Sequence, residues 1–178
     1  MATSLRFIHE ENIFDSTSST SVDNVFTDSY DVYMIVCNGF STVGTSGTFL
    51  GVRFIDNSGS LVTGSEYEWA DLEMVATGTF AEDNDTGATF MRLQGGFDQK
   101  PETTGAVIYV YNPTDSGSYT FITTQSGGVT GGNNRNGKGI GVHKTAESVR
   151  GFAIIETIGS RPYDKGKIRV YGVGGDEQ

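Results

Sequence analysis

The chain has 178 residues and a mass of 19.1 kDa, which suits one domain whose core needs no covalent staple. Twelve Lys and Arg against 22 Asp and Glu give a formal charge of −10, and the basic residues are scattered; that argues against the basic stripe that tracks nucleic acid or anionic lipid. The longest uninterrupted apolar run, Val32 to Cys37, is far short of the ~20 residues that span a bilayer, and the N-terminus turns acidic at Glu10 and Glu11 where a secretion signal would be apolar.

Composition then selects a class. Val, Ile and Thr number 15, 11 and 21, whereas the helix formers Leu and Ala number only 5 and 8. With 25 Gly to supply turns, the expected fold is all-β, an antiparallel jelly-roll-like β-sandwich of about eight or nine strands. Cys37 is the one cysteine, so no intrachain disulfide can form, as suits a protein folded in a reducing cytoplasm.

Residues 1–29 read as an N-terminal arm or first strand, with Leu5 to Ile8 apolar enough for a strand and Ser16 to Ser21 polar enough for a loop. The sandwich domain is expected over 30–173. Tyr30 to Asn38 opens it and is apolar on both alternating faces, Val32, Met34 and Val36 on one and Tyr33, Ile35 and Cys37 on the other. Thr48 to Ile55 follows, then a hairpin turn at Asp56-Asn57-Ser58-Gly59 into Ser60 to Thr63. Tyr67 to Ala76 is ambiguous between strand and helical turn, Glu82 to Gly87 reads as a polar loop, and Ala88 to Leu93 as a strand. Gly105 to Tyr111 ends at Asn112-Pro113, which halts a strand. Tyr119 to Thr124, a long glycine loop from Gly127 to Gly139, and strands at 140–143, 149–158 and 167–173 complete the set; 174–178 is expected to fray.

Few residues suggest chemistry. Asp83-Asn84-Asp85-Thr86-Gly87 resembles the start of a calcium loop, which makes Asp83 and Asp85 a weak metal candidate, although Gln94 stands where a bidentate Glu belongs. Gly132 to Gly139 approaches a phosphate loop but places Gly139 after Lys138 where Ser or Thr must hold magnesium. His9 and His143 show no metal-pair spacing, and His143 reads as a satisfied strand residue. Glu66 and Glu68 share a strand face, a pairing too common in acidic β-proteins to mark a glycosidase. No catalytic group and no cofactor is expected. Trp69, Tyr109 and Tyr111 are candidates for stacking on sugar rings, and Tyr33, Ile35 and Cys37 for a subunit contact, since a strand apolar on both sides must meet something on its second face.

Three stretches carry a resemblance: Phe26-x-x-x-Tyr30-Asp31-Val32-Tyr33, Val107-x-Tyr109-x-Tyr111-Asn112-Pro113, and Gly166-Lys167-Ile168-Arg169-Val170-Tyr171-Gly172. Together they are similar to a family of structural proteins of tailed bacteriophages, especially phages of marine cyanobacteria. The resemblance implies a virion-associated β-sandwich and assigns no site residues. The expected function is a non-enzymatic component of the virion, made in the host cytoplasm and placed on the tail, baseplate or a fibre-like appendage. A capsid decoration protein and a carbohydrate-binding host-recognition module are the alternatives. The expected partners are further copies of the chain, as a homotrimer or other closed ring, other virion proteins and a host glycan, with no nucleic acid and no membrane.

Overall fold

The computed structural model describes residues 5–43, 48–97, 103–158 and 162–174, and strands dominate them. A large sheet has eight strands in the spatial order β1 (Leu5–Thr17), β12 (Tyr163–Val173), β3 (Val32–Thr42), β8 (Thr104–Tyr111), β9 (Thr120–Thr130), β10 (Asn133–His143), β5 (Tyr67–Val75) and β6 (Thr79–Ala88). A small sheet has four, in the order β2 (Ser19–Val22), β11 (Val149–Glu156), β4 (Thr48–Asp56) and β7 (Met91–Phe97). Every neighbouring pair is antiparallel. The sheets enclose one core, with Phe54, Phe152 and Ile154 from the small sheet against Tyr33, Ile35, Ile108 and Val170 from the large one. The protein is an all-β sandwich.

Twelve strands rather than eight or nine are present among the described residues, and the surplus comes from segments whose residue types disguise them. Residues 5–22 are not a free arm. They form β1 and β2, the edge strands of the large and the small sheet, and Val22 is fully packed. Glu82 to Gly87 is not a loop but the body of β6, exposed along almost its whole length. The stretch from Gly127 to Gly139 is mostly strand as well. β9 and β10 pair from Thr130↔Asn133 onward around a two-residue turn, Gly131-Gly132, with φ of +59° and +75°. That left-handed pair is the geometry that matches the twist of a hairpin. Glycines farther along β10 serve proximity rather than flexibility: a Cβ on Gly141 would sit 2.7 Å from the Met91 sulfur of β7. In the other direction, 60–63 supplies no strand, only an isolated bridge from Leu61 to Ile55 after the turn at Gly59. The tail beyond Gly174 lies outside the described residues.

The stretches around Tyr33, Tyr111 and Tyr171 meet on neighbouring strands at one level of the large sheet. Tyr33 faces Gly172 on one side and Val110 on the other, and Asn112 N–H donates to the Asp31 carbonyl at 2.9 Å. Asn112 itself is left-handed at φ 55°, a conformation that Asn tolerates better than most residues. Gly172 lies under the Tyr30 ring, where a Cβ would meet ring carbons at 2.6 Å. The motifs are therefore one packing unit: Tyr30, Tyr33 and Phe26 interlock edge-on, with Tyr33 at 5.7 Å from Tyr30 and 4.8 Å from Phe26.

Candidate functional site

The alternation of β3 decides which of its faces is available. Tyr33, Ile35 and Cys37 point between the sheets and are completely buried within the chain, so they form no subunit contact. Tyr33 is also anchored by its hydroxyl, which donates to the Thr27 carbonyl at 2.6 Å and accepts from the Thr27 amide at 2.7 Å. Burial pushes the Cys37 thiol up to about 12, so it stays protonated and inert. The outward residues are Val32, Met34 and Val36, and these are only half-buried.

Because register is continuous across the sheet, their outward neighbours can be followed from strand to strand, ~4.8 Å apart. From Met34 the row runs through Tyr171 to Phe7 in one direction and through Tyr109, Thr123 and Ile140 to Ala70 in the other. The next row joins Val173, Val32, Tyr111, Phe121 and Val142. Two adjacent rows are thus apolar or aromatic over most of the sheet's width, and Phe121 and Ile140 are 45% and 63% exposed. A depression of ≈ 420 Å³ opens between Phe121, Ile140, Val142 and Ala70, rimmed by Glu68, Asn84, Asp85 and Thr86. The row beyond Met34 is charged: Glu10 accepts from Lys167 at 2.9 Å and from Arg169 at 2.7 Å, and these bonds hold its carboxyl down to about 2.

Tyr109 and Tyr111 share this outer face as the spacing predicts, but Trp69 does not join them. It lies on the inner face of β5, nine-tenths buried, with the Arg92 guanidinium 4.5 Å from its ring. The aromatic beside Tyr111 is instead Phe121, its register partner. Period-two alternation along Phe121, Thr123 and Gln125 is the sequence signal that places it on this face.

Asp83 and Asp85 are strand residues of β6, and Asp83 already has a cation. Arg92 binds it at 2.8 Å and binds Asp71 through two further hydrogen bonds at 3.1 and 3.3 Å. Asp85 accepts from the Gly87 amide. Burial raises the Asp71 carboxyl above its usual range even though Arg92 opposes the shift. Next to it Glu73 takes Arg135 at 2.6 Å. This corner is an ion-pair network, and the calcium-loop reading of Asp83 and Asp85 does not hold. Nor are Glu66 and Glu68 paired carboxylates: Glu68 takes Lys144 at 2.8 Å, and Glu66 takes His143 at 3.2 Å and the Thr145 hydroxyl at 2.5 Å. Gly139 is inside β10, so no phosphate loop exists there.

No protein-family model matches the chain, and no curated protein is significantly similar to it.

Proposed function

We propose that the chain is a non-enzymatic structural component of a tailed-phage particle that assembles through the outer face of its large sheet. The observation that carries this reading is the pair of adjacent apolar rows crossing that face, with Tyr109, Phe121 and Ile140 exposed. Contiguous apolar surface of this kind marks an interface, and its aromatics are the residues that dominate binding when desolvated. The strand orders support a jelly roll. The small sheet runs second, eleventh, fourth, seventh, and the large one has the third, tenth, fifth and sixth with the β8–β9 hairpin inserted. That is the order two interlocked Greek keys produce, an architecture common to viral shells and lectins. The three strand motifs supply the phage part of the reading, and the tail, baseplate or a fibre-like appendage is the proposed location. Shell decoration loses its motivation, because residues 5–22 are built into both sheets and cannot serve as a reaching arm.

Mass spectrometry of purified virions tests membership, and absence from the particle overturns it. Light scattering tests assembly: a closed oligomer, with a trimer expected, that Ile140→Lys dissociates. A carbohydrate-binding role has its own observation, the depression beside Phe121 with the polar rim of Glu68, Asn84 and Asp85. A glycan array on the intact oligomer decides that second reading.

A further inference from the structure

Where the chain leaves the large sheet for the small one, at residues 144–148 between β10 and β11, three ligand-type side chains converge. His143 is the last residue of β10 and is fully buried, its ring held against Tyr67 at 5.2 Å and Phe54 at 6.0 Å. Its Nε2 faces two carboxylates at once, Glu66 at 3.2 Å and Glu147 at 3.5 Å. Two carboxylates thus converge on one buried ring nitrogen. Among the described residues no Lys or Arg forms an ion pair with either Glu; Lys144, the nearest in sequence, is committed to Glu68 and the Thr86 carbonyl. The corner is short of positive charge.

We propose that Glu66, His143 and Glu147 bind one zinc ion. The three donor atoms lie within 4.8 Å of one another. Zinc bonds of ~2.1 Å in tetrahedral geometry place ligand atoms ~3.4 Å apart, close to the 3.2 and 3.5 Å found from Nε2. One imidazole and two carboxylates suit zinc better than calcium, which takes oxygen ligands alone. The carboxylates are partly exposed, which leaves the fourth position to water. Glu66 is already oriented by the Thr145 hydroxyl at 2.5 Å, and the Lys144 amide donates to its backbone carbonyl at 2.8 Å. Such an ion ties the start of β5 and the end of β10 to the crossover segment.

Titration calorimetry of the full chain with zinc chloride tests this. The expected result is one ion per chain, bound at least tenfold more weakly by Glu66→Gln and by Glu147→Gln, and with unchanged affinity by His9→Gln and Asp83→Asn. Both Glu positions are partly exposed, so these variants should fold where a His143 replacement need not, and circular dichroism checks that they do. Nitrogen-15 NMR adds an independent readout: saturating zinc should shift the His143 Nε2 resonance, the atom that faces both carboxylates. Absence of saturable binding to the wild-type chain, or stoichiometric binding that both Glu variants retain, overturns the site.

Discussion

The inner face of the large sheet is built by two different means at its two ends. Under β12, β3 and β8 it is aromatic and aliphatic, with Tyr33, Ile35, Ile108 and Val170 packed on Phe26, Phe54 and Phe152. The Tyr33 hydroxyl among them is satisfied by backbone. Under β5 and β6 the same face carries Asp71, Glu73 and Asp83, answered by Arg92 and Arg135, with Arg92 also between the rings of Trp69 and Phe49. Apolar burial is indifferent to pH, whereas buried ion pairs hold only while both members are present and charged. One sheet thus has an end that tolerates changes of pH and an end that does not.

The sharpest way to break the aromatic end is Tyr33→Asp, which puts an unpaired charge where the chain has no exposed surface; we expect no folded protein, read as loss of the cooperative thermal transition. Phe152→Ala should leave the fold intact but cost about 3–5 kcal/mol in urea unfolding. At the ionic end Arg92→Met strands Asp71 and should cost a similar ~3–5 kcal/mol. Adding Asp71→Asn should recover much of that loss, whereas no partner substitution rescues Phe152→Ala.

On the outer face the expectation reverses. Ile140→Lys should change folding stability by less than about 0.5 kcal/mol and yet lower the mass seen by light scattering. A large loss of stability in this variant would mean that the face is part of the monomer's own core.

The smallest effects concern pH. The Asp71 carboxyl is raised by burial, so its contribution is fullest below the usual 3.8 and fades as pH climbs through its folded value. The Glu10 carboxyl is lowered by Lys167 and Arg169, so its contribution is present above 4.5 and fades as pH falls toward about 2. Urea midpoints between pH 2 and 7 should lose the first trend in Asp71→Asn and the second in Glu10→Gln.

The fold class was legible because Val, Ile and Thr outweigh Leu and Ala, and Tyr30 to Asn38, Gly105 to Tyr111 and the stop at Asn112-Pro113 were placed well by alternation. What alternation does not give is which face meets the second sheet. Tyr33 and Val32 look alike in the sequence, and only the Phe26, Phe54 and Phe152 rings beyond make one of them core. β6 and the β9–β10 hairpin were illegible for a different reason. Their strands are held by long-range pairing, and their residues, acidic in one and glycine in the other, have low strand propensity on their own. The candidate sites show the same gap: ring size says nothing of the depth of Trp69, and Glu66 lies 77 residues before His143, itself a near neighbour of Glu147, too far for spacing to unite the three.

β6 also has a consequence for sheet edges that come close to one another. It ends the large sheet with an exposed run holding Glu82, Asp83 and Asp85, and two such edges meeting side by side would set six carboxylates in register or near it. At low ionic strength that repulsion bars lateral extension of one sheet by the next. Growth by edge-joining, the route to fibres, is opposed at this margin.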